Sequence, residues 1–348
     1  MKVAIIGAGE VVRNFHMPAW KHIKEAQIVA ICDINEEHAA LMAKRYNIPH
    51  YYTSINELLT HEEVFLVDIC TPPSTHLSLS IQAMEAGCHV LLEKPMAVSI
   101  QESEEIVKRA QFMRKSKNIK LGVIHNLLFY PWCLRMRSLV EQHVGDIISM
   151  EVTDVATPND IIVANPDHWI HKLMGGRFGE GFIHEVYLLQ HFLGQLQVDS
   201  VWTTKIGAQS WIPYDGLHTT FSAGKRFGSI SVAYNSSRPD FKVVIYGQRC
   251  NVKYENFGLT VLPPLGKGAY NFGVDALRQN SQQMISTAIG GYNAWRGVWK
   301  SHEIYFRSFI ESIINNSELP LSLEEAYKAT ETYLLVLQRA ESLKKSES

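Results

Sequence analysis

The sequence predicts an α/β protein in which an amino-terminal doubly wound parallel sheet precedes an α+β domain with a large, mostly antiparallel open sheet. Three observations lead to this prediction. Short apolar strands alternate with helical stretches from Val3 to about residue 124, glycines directly follow the first strand, and longer strand-like runs begin at Ile147. Repeated strand–helix units of this length are typical of parallel sheets with helices on both faces. The predicted domains are residues 1–124 and 125–348.

Length and composition agree with two folded domains. A chain of 348 residues is too long for a typical single core. The net charge of −2 gives no basic surface for nucleic acid. The cysteines are odd in number and widely spaced, which favours reduced thiols in a cytoplasmic protein. Neither a signal peptide nor a run of transmembrane length is recognisable, so we expect a soluble protein without a membrane partner.

The first strand, Val3–Ile6, leads into a dinucleotide fingerprint whose third glycine is replaced by Val12. Gly7 and Gly9 allow a tight turn and a close approach of main-chain amides to a pyrophosphate at the start of a helix. The third glycine normally lets helix and strand pack closely, so Val12 predicts a wider crossing. The predicted cofactor contacts in this loop are Gly7, Ala8, Gly9, Glu10, Val11 and Val12.

The second strand, Ile28–Cys32, ends at Asp33, at about the distance that the adenosine ribose of a dinucleotide requires. A carboxylate there accepts hydrogen bonds from both ribose hydroxyls and repels a 2′-phosphate. The residues that follow, Ile34–Glu37, include no arginine to receive that phosphate. The sequence therefore predicts NAD in preference to NADP. Asp33 is also suited to cap the next helix, and the two roles are compatible.

The alternation then continues to a lysine at the end of a strand. The predicted strands are Val64–Cys70, Val90–Leu92 and Ile119–Ile124. Two predicted helices are Glu37–Tyr46 and Ser54–Leu59. A third is capped by Ser74 or Thr75 and runs to Ala86, and a fourth begins with the capping box Ser99–Glu102 and reaches Lys115. Pro95 cannot donate another ladder bond, so Lys94 lies at the carboxyl end of its strand. In an open parallel sheet this is the edge where ligands bind. A lone lysine at a strand end is otherwise an ordinary surface residue.

Three motifs together resemble the Gfo/Idh/MocA family of NAD(P)-dependent oxidoreductases: Gly7-Ala8-Gly9, Cys70-Thr71-Pro72-Pro73 with His76, and Glu93-Lys94-Pro95. The Glu-Lys-Pro motif is the most specific of the three. The resemblance implies a Rossmann domain in which Lys94 lies beside the nicotinamide and shuttles the proton of the substrate hydroxyl. The further cofactor contacts that it implies are Thr71, Pro72, His76, Glu93, Lys94 and Asn126.

The second domain resembles the substrate-binding and oligomerisation domain of that family. Its predicted strands are Ile147–Ala156, Val198–Ile206, His218–Ser222, Ser229–Tyr234 and Lys242–Tyr246, and its predicted helices are Trp132–His143, His302–Ile314 and Leu323–Ser342. The resemblance implies helices and the active site on one face of the sheet, and a homodimer or homotetramer interface on the other. The glycine-rich segment 262–292 is left unassigned, either as a loop over the site or as an oligomer arm.

A second group of candidate residues follows the Gly175-Gly176 pair. Counting back from Gly194 places His184 on the family's histidine, and Glu180 and Tyr187 on positions where the family has aspartates. The resemblance implies that His184 assists Lys94 in proton transfer, with Glu180 in the catalytic group. Residues 180, 184, 187 and 191 share one face of a helix. The predicted substrate contacts are Lys94, Trp169, Lys172, Arg177, Glu180, His184 and Tyr187.

The resemblance implies hydride transfer between NAD and a ring carbinol of a sugar, aminosugar, cyclitol or sugar derivative. One alternative uses the oxidation transiently, so that a 3-keto sugar eliminates its aglycone and NAD is regenerated. Another is a non-catalytic NAD-binding regulator, which the retention of Lys94 and His184 disfavours. The last is a zinc hydrolase built on His168, Glu180, His184 and His191. No H-E-x-x-H motif is present and the family needs no metal, so we expect none.

Overall fold

The computed structural model describes residues 1–158, 164–264, 269–296 and 300–347. Its contacts divide the chain into two compact units, Met1–Phe129 with Val298–Glu331, and Tyr130–Gly297 with Thr332–Ser348. The first division lies near the predicted boundary at residue 124. The return of residues 298–331 to the first unit differs from the prediction, which placed them in the second domain. Side chains explain this return, because the buried Tyr305 donates a hydrogen bond to the carbonyl of Val123 at 2.8 Å.

Among the described residues of the first unit, six parallel strands form a sheet in the order β3-β2-β1-β4-β5-β6. The strands are β1 Lys2–Ile6, β2 Gln27–Cys32, β3 His50–Tyr52, β4 Leu66–Ile69, β5 His89–Leu92 and β6 Leu121–Val123. β4 and β5 are buried along their whole length, as strands covered on both faces must be. The strand order reverses between β1 and β4, which makes the carboxyl ends of these strands the expected ligand edge. The predicted doubly wound sheet is confirmed.

Local signals set the helix boundaries of the first unit. Its helices are Met17–Trp20, Glu36–Tyr46, Ile55–His61, His76–Glu85, Ile100–Lys117 and Lys300–Ile314. Ser99 caps its helix by accepting the amide of Glu102 at 3.1 Å, as predicted. The cap at Ser74 or Thr75 is not formed, because the Thr75 hydroxyl donates to the carbonyl of Pro72 at 2.8 Å instead. Asn35, rather than Asp33, caps the helix after β2.

Among the described residues of the second unit, seven strands form a mostly antiparallel sheet in the order β13-β12-β11-β7-β10-β9-β8. The strands are β7 Ile147–Val155, β8 Gln197–Thr204, β9 Gly216–Ala223, β10 Arg226–Ala233, β11 Asp240–Gly247, β12 Asn251–Glu255 and β13 Gly258–Leu262. β7 and β10 are the parallel pair of this sheet. The predicted class of sheet is confirmed, although β12 and β13 were not recognised as strands in the sequence.

The helices of the second unit pack against its sheet. They are Pro131–Leu139, Phe178–Gly181, Ile183–Leu193 and Ala269–Arg296, with Leu323–Glu347 shared between the units. A Cβ atom at Gly228 of β10 would lie 2.8 Å from Leu189, so this glycine lets the helix Ile183–Leu193 approach the sheet closely. The glycine-rich segment 262–292, which the sequence left unassigned, is helical from Ala269 onward. Residues 265–268 lie outside the described part of the chain. No helix among the described residues is both long and apolar enough to cross a membrane.

Candidate active site

The glycine loop after β1 meets the end of β4. Gly7 has a φ of +104°, and a Cβ atom on it would lie 2.7 Å from the carbonyl oxygen of Cys70. Another residue at this position would therefore meet both backbone strain and a clash. A Cβ atom on Gly9 would meet nothing within 4 Å. The chain thus leaves open space above Gly9, where the fingerprint predicts a pyrophosphate.

Asp33 lies at the carboxyl end of β2 and holds the glycine loop. Its Oδ2 accepts the amide of Ala8 at 2.7 Å, and its Oδ1 accepts the amide of Asn35 at 2.9 Å. Each carboxylate oxygen keeps a further lone pair, and the side chain is half-buried. The ribose hydroxyls of NAD would find acceptors here, next to the open space above Gly9. The residues present therefore fit a dinucleotide.

The Glu93-Lys94-Pro95 motif follows β5 directly. The amide of Glu93 continues the sheet by donating to the carbonyl of Ile69 at 3.0 Å. The amide of Lys94 leaves the ladder and donates to Glu93 Oε2 at 3.0 Å. Lys94 is half-buried, and its ammonium is close enough to lower the pKa values of Glu93 and His302. The structure thus places Lys94 at the predicted edge of the sheet.

Two of the predicted cofactor contacts serve packing in this structure. His76 is fully buried, with Nε2 2.9 Å from the carbonyl of Thr71 and Nδ1 3.0 Å from the carbonyl of Pro95. It ties the loop after β4 to the loop after β5. Val12 is also fully buried, in the position of the missing third glycine. Asn126 is half-buried at the start of a 3-10 turn in the same unit.

A buried cluster around His16 joins the same strands. His16 Nδ1 lies 2.9 Å from Asp68 Oδ2, and Nε2 lies 2.8 Å from Glu93 Oε1. Trp20 donates to the same oxygen of Asp68 at 2.7 Å. Burial alone would lower the pKa of His16, but the charge of Asp68 and the neighbouring Cys70 raise it well above its usual value. Burial would raise the pKa of Glu93, yet the hydrogen bond and charge of His16 lower it to about 2.

No local sequence pattern predicted this cluster, although one signal was present. Asp68 interrupts the apolar run Val64–Cys70, and a carboxylate inside a buried strand requires a hydrogen-bonding partner. His16 stands in the apolar first helical stretch and supplies that partner. His302 completes the cluster, with Nε2 3.9 Å from Glu93 Oε1. Burial and the charge of His16 lower the pKa of His302 to about 3.

In the second unit, His184 is half-buried on the helix Ile183–Leu193 and contacts Tyr187. The Tyr187 hydroxyl lies 2.7 Å from His184 Nδ1. Tyr187 itself is 2% exposed. In this conformation the tyrosine therefore acts on the orientation of the histidine rather than presenting its hydroxyl to solvent.

Glu180 belongs to a neighbouring set of charged side chains. It lies in the separate short helix Phe178–Gly181, and its carboxylate forms an ion pair with Arg177. The Arg177 guanidinium stands 5.4 Å from the ring centre of Tyr234. Glu185, on the helix Ile183–Leu193, is buried with 3% of the residue exposed. Burial and then the charge of Asp154 raise the pKa of Glu185 well above its usual value.

The remaining predicted substrate contacts lie on the preceding segment. Trp169 is 40% exposed in the 3-10 turn Trp169–Lys172, and Lys172 at the end of this turn is exposed as well. Within the described part of the chain, metal-ligating side chains gather in two groups, His16 with Asp68 and Cys70, and His16 with Glu93 and His302. Neither group contains a residue of the zinc site considered as an alternative.

Comparison with known proteins identifies the class. Residues 1–121 match the model of the GFO_IDH_MocA oxidoreductase family, described as an NAD-binding Rossmann fold. Oxidoreductase P35 of Formosa agariphila is 25% identical over 83% of this chain and 90% of its own length. D-glucoside 3-dehydrogenase of Escherichia coli is 30% identical over 33% of each chain. The WlbA dehydrogenase of Bordetella pertussis, solved with NADH and UDP-GlcNAcA, has a TM-score of 0.79 at 19% identity and covers 98% of this chain and 96% of its own.

The fold and the glycine loop define an NAD-binding oxidoreductase. The match of residues 1–121 to this family model bears out the resemblance that the three sequence motifs implied. A nicotinamide dinucleotide is accordingly its cofactor class.

Proposed function

We propose that the protein is an NAD-dependent dehydrogenase that acts on a ring carbinol of a sugar, aminosugar, cyclitol or sugar derivative. The observation that carries this proposal is the position of Lys94, directly after a buried strand at the ligand edge of a dinucleotide-binding sheet. A lysine ammonium there suits proton exchange with a substrate hydroxyl. The sugar dehydrogenases among the similar proteins support this substrate class.

In this proposal, Lys94 and His184 form the proton-transfer pair. Bound NAD supplies the acceptor for the hydride that leaves the carbinol carbon. Lys94 in its neutral amine form receives the hydroxyl proton and becomes an ammonium, and His184 assists it from a ring orientation set by Tyr187. Glu180 acts through its ion pair with Arg177, which holds both side chains in place. In the reverse direction the same groups return the proton.

The substrate we propose differs from that of polyol dehydrogenases. The positions where the family has aspartates hold Glu180 and Tyr187, and the buried tyrosine carries no charge at neutral pH. The exposed ring of Trp169 suits stacking on a sugar ring, and Lys172 suits an anionic group such as a carboxylate or phosphate. A sugar derivative that carries such a group therefore fits the available side chains better than a free polyol.

A substrate panel tests the proposal. Sugars, aminosugars, cyclitols, glycosides, sugar phosphates and nucleotide sugars are each incubated with NAD, and the appearance of NADH is followed by absorbance. We expect NADH with at least one class, and its formation should be at least about a hundred-fold slower with the Lys94→Ala variant. Cleavage of a glycoside without accumulation of NADH would favour transient oxidation instead. Binding of NAD without turnover of any compound would favour a regulator.

We also propose that Asp33 makes NAD the preferred cofactor. Its carboxylate faces the predicted ribose site and would repel a 2′-phosphate. The Asp33→Ala variant should lower the ratio of kcat/KM with NAD to kcat/KM with NADP. Equal values for the two cofactors in the parent enzyme would contradict the proposal. Asn35→Ala is the matched control, because it removes a helix cap next to Asp33 without removing the charge.

One face of the seven-stranded sheet carries exposed aromatic side chains that support the proposed homodimer or homotetramer. Trp202 of β8 is 55% exposed and Phe227 of β10 is 60% exposed, and strand pairing puts both on the face opposite the helix Ile183–Leu193. Large exposed aromatic side chains on one face are typical of an interaction surface. The Trp202→Glu and Phe227→Glu variants should lower the molar mass measured by light scattering. Phe112→Glu is the control, because Phe112 is 62% exposed on a helix of the other unit. An unchanged mass in both sheet variants would contradict the proposal.

A further inference from the structure

His16 is a buried histidine that the proposed reaction does not use. It is fully buried, and each ring nitrogen lies within hydrogen-bond distance of a carboxylate oxygen, Asp68 Oδ2 at 2.9 Å and Glu93 Oε1 at 2.8 Å. A carboxylate oxygen can accept a hydrogen bond but cannot donate one. Both ring nitrogens must therefore carry protons, and His16 is an imidazolium held between two carboxylates.

One of those carboxylates connects His16 to the main chain of Lys94. Glu93 Oε1 accepts from His16, and Glu93 Oε2 accepts the amide of Lys94 at 3.0 Å. The carboxylate of Glu93 is thus used on both oxygens, and its side chain is fully enclosed with 6% of the residue exposed. Asp68 holds the far side of the imidazolium and is itself fixed by Trp20 at 2.7 Å. The arrangement forms a continuous chain of hydrogen bonds from β4 to the residue after β5.

We propose that His16 is the positioning residue of Lys94. The His16 imidazolium holds the Glu93 carboxylate in place and pairs with the charge of that carboxylate. The carboxylate in turn fixes the main chain at Lys94. This inference rests on the proposed function of Lys94. Without the imidazolium, Glu93 would face Asp68 across a buried site as an unpaired like charge. Glu93 would then turn toward the Lys94 ammonium, and the lysine would lose its set position.

The other titratable groups around His16, namely His302 and Cys70, add no charge to the cluster at neutral pH. His302 is neutral, because burial and the charge of His16 lower its pKa to about 3. Cys70 has its sulfur 3.2 Å from His16 Nδ1, and it remains a thiol because burial and the charge of Asp68 raise its pKa. The charged groups of the cluster, among the described residues, are therefore His16, Asp68, Glu93 and the nearby Lys94.

A metal ion is the competing occupant for these side chains, because the ligating atoms of His16, Glu93 and His302 lie within 4.8 Å of one another. A metal requires an unprotonated ring nitrogen. Both nitrogens of His16 instead point at carboxylate oxygens at hydrogen-bond distances. The geometry is that of a hydrogen-bonded ion cluster.

The first test measures amide hydrogen exchange at Lys94 by NMR in the full-length protein without ligand. His16→Gln should speed exchange of the Lys94 amide by about ten-fold or more, and Glu93→Gln should do the same from the other end of the link. The amides of Val90 and Ile124, whose hydrogen bonds join β5 to the neighbouring β6 segment, should change together and much less. If His16→Gln does not fold, Glu93→Gln alone decides the outcome.

His89→Gln is the matched control. His89 is buried in the same strand, 8% exposed, and its Nδ1 accepts the amide of Lys120 at 3.0 Å at the opposite end of β5. This variant should lose stability without any specific effect at Lys94. Should His16→Gln behave like His89→Gln, with a stability loss but unchanged exchange at Lys94, His16 is merely structural and the proposal is overturned.

The second test separates turnover from binding. With the best substrate of the panel, His16→Gln should lower kcat by about ten-fold or more, while the Kd for NAD stays within about three-fold. The double variant His16→Gln/Glu93→Gln should be no slower than the slower single variant, because both act through one link. Additive losses would overturn the proposal. So would a stoichiometric metal in the purified parent that is lost in His16→Gln.

The two tests also distinguish this inference from the proposed function. If Lys94→Ala remained fully active, the role of Lys94 would be wrong. The exchange measurement would still report whether His16 fixes the main chain at residue 94.

Discussion

Two buried glutamates, one in each unit, have their pKa values shifted in opposite directions. Glu93 is 6% exposed and Glu185 is 3% exposed, so burial favours the neutral acid equally in both. Glu93 nevertheless has its pKa lowered to about 2, because His16 donates a hydrogen bond and a positive charge to it. The pKa of Glu185 is raised well above its usual value by burial and by the adjacent charge of Asp154.

The comparison teaches that the partner, rather than the depth of burial, decides which carboxyl is a fixed charge. The ionised Glu93 can anchor the amide of Lys94 at every pH where an oxidoreductase works. Burial and the charge of Asp154 favour the neutral form of Glu185, which lies on the helix that carries His184. The first unit thus favours the anion of its buried glutamate, and the second favours the neutral acid.

The largest expected effect concerns the lysine beside the ionised glutamate. Lys94→Ala should lower turnover by about a hundred- to ten-thousand-fold, the range for loss of a general acid–base group. NAD binding, measured by calorimetric titration, should change little. Lys115→Ala, at an exposed position on the helix Ile100–Lys117, is the control for loss of one positive charge. Turnover within a few-fold of the parent would remove Lys94 from the reaction.

Replacing each glutamate with the neutral glutamine should lower the free energy of unfolding by different amounts at the two sites. Glu93→Gln replaces an anion that is bound to an imidazolium, and we expect a loss of about 1.5 to 3 kcal/mol at neutral pH. Glu185→Gln replaces a carboxyl whose raised pKa favours the neutral acid, so the free energy of unfolding of this variant should stay within about 1 kcal/mol of the parent. Urea unfolding of the three proteins measures both values. Equal losses in both variants would show that the two sites do not differ in charge state.

The contributions of Glu93 and Glu185 to the stability of the fold should change with pH in opposite directions. The folded-state pKa of Glu93 is lowered to about 2, so its contribution is present above the unfolded value of about 4.3 and is lost as the pH falls toward 2. The folded-state pKa of Glu185 is raised, so its contribution is present below about 4.3 and is lost as the pH rises toward the folded value.

Urea midpoints from about pH 2.5 to about pH 8 test these signs. Relative to the parent, Glu185→Gln should gain stability as the pH rises, and the deficit of Glu93→Gln should shrink as the pH falls. A parallel pH dependence in all three proteins would contradict the assigned pKa directions.

The sequence predicted the first sheet well because its signals are local. Strands β1, β2, β4, β5 and β6 are short, mostly apolar runs, and Ser99 marks the start of the helix after β5. Strand β3, His50–Tyr52, is not an apolar run and was not predicted. The position of Lys94 followed from Pro95 alone. The His16 cluster was missed because its contacts join residues 16, 68, 93 and 302, which no local pattern connects. Asp68 inside an apolar strand was the available warning.

The second unit was harder to predict because its elements depend on tertiary contacts. The helix Ala269–Arg296 contains glycines and was left unassigned, yet Gln283 of this helix accepts from Thr260 of β13 at 2.7 Å and Ser286 accepts the amide of Leu259 at 2.6 Å. The predicted shared face of Glu180 and His184 came from ideal helix spacing. In the structure a turn at Phe182 separates the two helices that carry them.

The smallest expected effect concerns the neutral hydrogen bond between Tyr187 and His184. Tyr187→Phe removes one hydroxyl 2.7 Å from His184 Nδ1 and leaves the buried ring in place. Such a bond contributes about 0.5 to 1.5 kcal/mol, which corresponds to a roughly two- to ten-fold loss in kcat/KM. Because the tyrosine is 2% exposed, the loss should fall on kcat through the orientation of His184 rather than on substrate binding. Tyr187→Phe in a His184→Ala background should then have no further effect. A loss of the same size in that background would mean that Tyr187 acts independently of His184.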